Sequence, residues 1–406
     1  MKIIEINATY GFASTGAIVK DIEKTAIEYS HTVGIAYQSA ERSPSLGHKI
    51  GGIVGYKYHA LMSRIDGRQG YASRMATRRL LRWLNREKPD IVHLHNLHSN
   101  YINLSLLLDF LAKEDIATVI TLHDCWFFTG KCFHFVESNC NRWTTGCGDC
   151  PRNKLDVKSL FFDRTAKVYN DKKRLFEAIP RLYAVGCSDW ICEQARHSML
   201  SNRPVLRIYN GIDTGIFAPR STDFKQRNQI LGDFMIVGAA NKWLLPENKE
   251  LLDVFLSSRG SEDALVLFGA DEEHKKFCEA LDGVVALGYI NSKNEMAELF
   301  SSADVFVNPT HADTLPTVNM ESAACGTPVI TYNVCGSPEL VRDGVTGYIV
   351  PEGDTCGVMR SIGFVKEKKI KSEDCRAFAL SLFDRDANYK RYVDLFEKIY
   401  NGETLL

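Results

Sequence analysis

The chain has 406 residues, 45% of them apolar and 24% charged, which suits a folded protein of two or three domains. Its formal net charge of -1 gives no overall bias toward nucleic acid or membrane, so any electrostatic targeting must come from a local patch. The start, Met1 to Ile6, lacks the pattern of a signal peptide, and no stretch approaches the ~20 apolar residues of a membrane helix. The expected location is therefore cytoplasmic, where the 12 cysteines would be reduced.

In chain order, strands are predicted at Lys2–Asn7, Thr32–Tyr37, Ile91–Leu94, Thr118–Leu122 and Leu182–Gly186. Between them helices are predicted at Gly16–Tyr29, Ser73–Arg86, Asn103–Lys113, Lys158–Phe176 and Trp190–Met199. The alternation then restarts, with strands at Phe234–Gly238, Ala264–Phe268, Val284–Leu287, Val305–Asn308 and Pro328–Thr331. Its helices are Glu247–Ser258, Asp271–Leu281, Glu295–Ser302 and Val318–Cys325. Such alternation predicts two α/β, Rossmann-like domains with parallel sheets, over 1–208 and 221–384. A Gly/Pro-bearing linker lies at 209–220. A last helix within 385–406 is placed to pack back on the first domain. Ligands of open α/β sheets bind at the carboxyl ends of strands, so a cleft between two such domains is the expected site.

The most informative segment is Asn308–Val341, NPTHADTLPTVNMESAACGTPVITYNVCGSPELV. Asp313 and Glu321 stand eight positions apart around a polar loop that should open a helix. Backbone N–H groups at that opening, near Leu315, Thr317 and Val318, can hold a phosphate. Glu321, expected about two turns in, can accept from ribose hydroxyls, and Asp313 can reach a sugar. The alternative is a capped surface helix with Asp313 solvated.

This stretch resembles the acidic-pair motif, E-x7-E, of the retaining glycosyltransferases of family 4, with the following Gly-Thr-Pro-Val strand at Gly326–Val329 and the Gly-x-x-Glu turn at Gly336–Glu339. Asp313 stands where the family usually has Glu. The segments LGYINSKNEMAELFSSADVFVNP and IYNGIDTGIF are similar to further family signatures. The resemblance spans roughly residues 2–350. It implies the two-Rossmann-domain GT-B architecture, a nucleotide-diphosphate sugar donor held mainly by the second domain, metal-independent transfer and retention at the anomeric carbon. The family next places basic residues for the donor pyrophosphate. Lys242 and Lys249 are the candidates here, with Lys249 favoured, although the Lys-Gly pair of the family is absent.

In the first domain, NATYGFASTG resembles the family's glycine-bearing entry loop, and Gly16 is expected at the turn, where a ligand can approach the backbone. It is not the G-x-G-x-x-G of nicotinamide enzymes. The pair His123-Asp124 ends a strand, where His123 can contact the transferred sugar and Asp124 can orient it. The alternative for His123 is a satisfied structural histidine. His95 and Asn96 end an earlier strand and, with Arg68, are assigned to acceptor binding. From HLHN through the cysteine-rich loop to NGID, the likeness is to a capsule and exopolysaccharide subgroup, and it implies a glycan or a polyprenyl-diphosphate-linked glycan as acceptor.

Cys132, Cys140, Cys147 and Cys150 form C-x7-C-x6-C-x2-C within the loop at 125–155, with His134 nearby. Four thiols at this spacing either bind a structural zinc or pack as small apolar side chains around Trp143. No metal is expected in catalysis. Finally, Lys57–Lys88 holds nine Lys/Arg against two acids, and Arg74, Arg78, Arg82 and Arg86 recur every fourth residue. That stripe is either a solvated helix face or a surface for anionic lipid or a lipid diphosphate. Two rivals share the general layout: a sugar-nucleotide epimerase, and a non-enzymatic zinc-loop interaction module.

Overall fold

A computed structural model describes residues 1–368 and 370–405. The chain divides into two compact units, one of Met1–Asn210 with Asp386–Leu406 and the other of Gly211–Arg385. Each is built on a parallel sheet.

The first unit carries β1 (Lys2–Tyr10), β2 (Thr32–Ala40), β3 (Gly47–Lys49), β4 (Ile91–Leu94), β5 (Ala117–Leu122), β6 (Leu182–Gly186) and β7 (Val205–Arg207). Their order is β3-β2-β1-β4-β5-β6-β7. Both faces are covered, so strands such as ATVITL are buried at every position rather than alternating. The helix Arg385–Tyr400 belongs here: Tyr389, Tyr392, Val393, Phe396 and Ile399 pack into the core formed by Ile3, Val33, Ile91 and Val119. The N-caps of the helices Leu104–Lys113 and Asp189–Arg196 are Asn103 and Ser188, whose side chains accept from Leu106 and Ile191 N–H.

The second unit carries β8 (Phe234–Ala239), β9 (Asp263–Phe268), β10 (Val284–Ala286), β11 (Val305–Asn308), β12 (Val329–Tyr332) and β13 (Gly347–Val350), ordered β10-β9-β8-β11-β12-β13. Strand order reverses between β1 and β4 in one unit and between β8 and β11 in the other. Connections diverge at such switch points and leave a crevice at the strand carboxyl ends. In the second unit the crevice wall is set by a close approach. A Cβ on Gly238 would lie 2.1 Å from Trp243 Nε1, and that nitrogen donates to the Val307 carbonyl at 3.0 Å. The short helix Ala240–Trp243 therefore folds tightly over the end of β8.

Several elements depart from the sequence reading. The helix Ile53–Asp66 and strands β3, β7 and β13 were not anticipated, nor were the helices Thr355–Lys368 and Ser372–Phe383. The expected helix from Lys158 begins only at Thr165, because Asp163 Oδ1 accepts from Thr165 N–H and fixes a turn there. Among the described residues, no helix is long and apolar enough to cross a membrane.

Candidate functional site

In the second unit, the segment after β11 forms the candidate site. Asp313 Oδ1 accepts from Leu315 N–H at 3.0 Å, closing the loop that opens the helix Thr317–Ala324. Pro316 is the N-cap and offers no side-chain acceptor, so the first-turn N–H groups of Thr317 and Val318 have no intrahelical partner and point outward with the positive end of the helix dipole. Glu321 is a little over one turn into this helix, not two, since the helix starts at Thr317. Burial pushes its carboxyl up to about 7, against the pull of Lys293. Three buried polar atoms of this region, Thr314 Oγ1, Asn319 Nδ2 and Ser337 Oγ, have no hydrogen-bond partner within the protein. Orphaned groups at a helix opening are what a polar ligand would satisfy.

The two candidate lysines differ. Lys249 is exposed and ion-paired with Asp253 one turn on. Lys242 is half-buried beside the end of β8, and its carbonyl accepts from Asn248 Nδ2 at 2.9 Å. Asn248, absent from the sequence reading, is a buried hub. It also donates to the Pro309 carbonyl at 2.7 Å, while His311 Nε2 lies 3.1 Å from its Oδ1. It thereby ties the Lys242 turn to the loop that carries Asp313.

In the first unit, His123 and Asp124 follow the carboxyl end of β5. Asp124 accepts from Trp126 N–H at 2.8 Å and lies 3.1 Å from His98 Nε2. Asn96, half-buried after β4, donates its backbone N–H to Asn7 Oδ1 at 3.2 Å. Two expectations need correction here. His95 is fully buried, with one ring nitrogen 2.7 Å from Glu5 Oε2 and the other 2.9 Å from His123 Nε2, so it has no atom left for an acceptor. Gly16 lies inside the helix Ala13–Glu28, not at the turn before it. A Cβ there would sit 2.7 Å from Thr9 Oγ1, so the glycine serves close helix–strand packing, and the turn is made by Gly11 at φ +82°.

Behind His123 lies a buried network that the sequence reading missed. Glu5, in the middle of β1, pairs in register with His93 of β4, and both it and His95 reach the Glu5 carboxylate. Burial opposes the Glu5 charge, but His93 and His95 hold its carboxyl down at about 2. The signal was available: a glutamate inside the otherwise apolar run of a central strand, and an H-x-H pair whose rings share a face.

Arg68 sits between the helices Ile53–Asp66 and Arg74–Glu87, paired with Asp66 and stacked on Tyr71 with 5.0 Å to the ring centroid. It lines a cavity of about 600 Å³ together with Tyr56, Arg74, Arg79 and Tyr101. The loop forming one wall is anchored by buried His59, which accepts from Gly70 N–H at Nε2 (3.1 Å) and so donates from Nδ1 to Ser73 Oγ (2.7 Å).

The cysteine loop is pinned from beneath by Lys172. This fully buried amine donates to the carbonyls of Trp126 and Thr129 and lies 3.4 Å from the centroid of the Trp126 ring. Burial brings it down to about 7. Cys132, Cys147 and Cys150 lie within electrostatic range of one another, and burial raises all three, Cys132 to about 12 and Cys147 to about 11. Among the described residues, the one group of three such donors within 4.8 Å of each other is Glu5, His93 and His95, not the thiols.

Two family models match the chain: Glycosyltransferase Family 4 over residues 27–215 and Glycosyl transferases group 1 over 234–365. A similar curated protein is the putative colanic acid biosynthesis glycosyl transferase WcaC of Escherichia coli, 28% identical over 63% of this chain. The chain spans 62% of that relative's length. Among solved structures, the sucrose-phosphate synthase of Thermosynechococcus elongatus superposes with a TM-score of 0.70 at 14% identity, covering 99% of this chain and 100% of that one. Anabaena HepE in complex with UDP-glucose gives 0.63 at 14% identity, covering 98% and 100%. At such identities these structures speak for the fold, two parallel-sheet Rossmann-like domains of the GT-B type. Through its two matching models, which together take in most of its length, the chain belongs to the family 4, group 1 glycosyltransferases.

Proposed function

We propose that this protein transfers a sugar from a nucleotide-diphosphate donor to a glycan or lipid-diphosphate-linked glycan, with retention at the anomeric carbon, in the synthesis of a surface polysaccharide. The observation that carries the donor half is the helix opening at Thr317, with uncapped N–H groups, orphaned Thr314 and Ser337 hydroxyls, and Glu321 one turn on. The N–H groups suit a diphosphate, Glu321 suits the ribose hydroxyls, and Asp313 the sugar. His123 and Asp124 contribute to sugar contact. The likeness to a colanic acid transferase and to a structure holding UDP-glucose supports the polysaccharide context and the donor class. Incubation with labelled nucleotide sugars and lipid-linked glycan should move label into the lipid fraction, with the product's anomeric configuration read by NMR. Isomerised nucleotide sugar formed without acceptor would instead indicate an epimerase.

For the pyrophosphate, the pairing of Lys249 with Asp253 favours Lys242 over the lysine preferred on sequence grounds. Lys242→Ala should lower turnover about tenfold or more, a normal loss for one charge-assisted contact, with little effect on binding of the bare nucleoside. Lys249→Ala should stay within about twofold. The reverse pattern would return the role to Lys249.

A structural zinc on Cys132, Cys140, Cys147 and Cys150 is part of the proposal, supported by the tight final C-x2-C; among the described residues no three of these thiols stand within 4.8 Å of one another, so the ion would have to draw them together. Protein purified without chelator should contain about one zinc per chain, with those thiols unreactive until it is removed. Metal-free protein with native structure would assign the loop to packing alone.

Membrane contact is better supported by the helix Ile53–Asp66 than by the arginine stripe alone. Its inward residues are His59 and Ser63, while Val54 (79% exposed), Tyr58 (58%) and Leu61 (55%) face away from the core. The adjoining loop, bonded to it by Leu160 N–H to the Arg64 carbonyl, exposes Phe161 at 71%. Lys57 and Arg64 lie on this helix and Arg74, Arg78 and Arg82 on the next one, Arg74–Glu87, so that apolar and basic exposed residues of this stretch together suit an anionic leaflet. The neighbouring cavity, with Arg68, Arg74 and Arg79 among aromatic rings, suits a lipid phosphate. Changing Leu61 and Phe161 together to Glu should weaken co-sedimentation with anionic vesicles by tenfold or more, since each buried side chain contributes about 1.5–3 kcal/mol. Arg74, Arg78 and Arg82 changed to Gln should weaken it at low salt and matter little at high salt. No binding by the unaltered protein at low salt would point to an acceptor free in solution.

A further inference from the structure

The buried network behind His123 fixes more than a ring orientation. Glu5 is fully buried and, ionised, can only accept. Both histidines opposite it must therefore donate: His93 through Nδ1–H (2.9 Å) and His95 through Nε2–H (2.7 Å). His93 Nε2 lies 2.7 Å from Thr121 Oγ1, which is 3.2 Å from the Tyr392 hydroxyl, so His93 is bonded at both ring nitrogens and leaves no atom for His95. His95 is wedged against His93, ring centroids 4.1 Å apart, where one carboxylate already serves two rings. Burial and the neighbouring His93 bring His95 down to about 4, against the pull of Glu5. A neutral His95 with its proton on Nε2 has a bare Nδ1, which can only accept. The 2.9 Å contact must then be a donation from His123 Nε2–H.

We propose that Glu5 and His95 are positioning residues that lock His123 in its Nε2–H tautomer, so that the Nδ1 it presents at the end of β5 is a hydrogen-bond acceptor for a hydroxyl of the transferred sugar. Among the described residues no group of the protein bonds His123 Nδ1, and the ring is half-buried where β5 ends. The other groups facing it do not supply a second proton. Asp124 attracts positive charge, but it is engaged by His98 and by Trp126 N–H. His93 and His95 oppose such a charge, and burial takes His123 well below the ordinary histidine range. Lys172 and Asp124 attract each other. An acceptor of fixed polarity favours a sugar with a free hydroxyl at that point and disfavours one in which it is alkylated or removed. Such discrimination follows when a polar site is left unpaired.

This inference rests on the glycosyl-transfer reading, and its test separates the two. Protein carrying ring-labelled [15N]histidine, recorded between pH 6 and 8, should show His123 with a protonated Nε2 and an unprotonated Nδ1 throughout. The assignment comes from the spectrum lost in His123→Gln. His95→Leu should release the lock and give mixed tautomers with turnover at least tenfold lower. His95→Asn, whose Oδ1 can still accept from His123 Nε2–H, should keep the tautomer and recover turnover to within about threefold. A proton on His123 Nδ1 in the unaltered protein, or titration of His123 within that range, overturns the proposal even if nucleotide sugars bind and turn over. The same spectra cover the case in which His95→Leu fails to fold, since they need only the unaltered chain. If the tautomer is as expected but no nucleotide sugar shifts the His123 signals, the relay stands and the transferase reading fails.

Discussion

Glu321→Ala is expected to weaken nucleotide-sugar binding by more than tenfold while leaving the fold intact. The carboxylate is held in a site that raises it to about 7, and its proposed partners are two ribose hydroxyls, so truncation removes a charged hydrogen-bond acceptor worth about 1.5–3 kcal/mol. The same argument gives a pH dependence whose sign is fixed. In the free protein the folded carboxyl is raised from its usual value, so ionisation is disfavoured and the protonated form accumulates below about pH 7. Hydroxyl donors bind the ionised form. Affinity should therefore fall as pH drops, about fivefold between pH 7 and 6 if only the ionised form binds, and binding at pH 7 should release about half a proton per site. Calorimetry in two buffers of different ionisation enthalpy reads that proton directly. Affinity that is flat from pH 6 to 8, or that survives Glu321→Ala, would remove Glu321 from the donor site. Glu321→Gln should abolish the pH dependence.

The second large effect is expected at Lys172. Its amine satisfies two buried carbonyls, Trp126 and Thr129, on the loop that leaves His123 and Asp124, and it lies over the Trp126 ring. In Lys172→Met the two carbonyls would be stranded at about 1–3 kcal/mol each, partly offset because an amine no longer has to be desolvated. The net loss should be about 2–4 kcal/mol, or about 5–12 °C in Tm for a unit of this size. Because Asp124 caps the same turn through Trp126 N–H, turnover should fall further than donor affinity. An unchanged melting temperature would mean that the loop is held by its aromatic and cysteine packing, without need of the amine.

Much of this was legible in the sequence because two alternating patterns dominate it. Continuous apolar runs such as IVHL and VFVN marked buried parallel strands, and the spacing of Asp313 and Glu321 placed one acid before a helix and one on it. What escaped detection did so for physical reasons. The helix Ile53–Asp66 turns His59 and Ser63 inward and its apolar residues outward, the opposite of the pattern that identifies a helix on a core. His95 looked like a binding residue because its position at a strand end is right. Its burial depends on Glu5, 90 positions away, which only the β1–β4 register brings opposite. The Gly16 role turned on where the helix begins, at Ala13 rather than three residues later. The choice between Lys242 and Lys249 turned on the Asp253 partner, which stands one turn on within the predicted helix Glu247–Ser258 and was readable there from the i,i+4 spacing.

In the proposed reaction the second unit binds a nucleotide-diphosphate sugar at the opening of the helix Thr317–Ala324. Calorimetric titration of the protein with a panel of nucleotide sugars, beside Glu321→Ala, tests it most directly. Saturable binding of at least one member is expected, with one site per chain, weakened by more than tenfold in the variant. Binding of none of them by correctly folded protein, or equal binding by the variant, would contradict it.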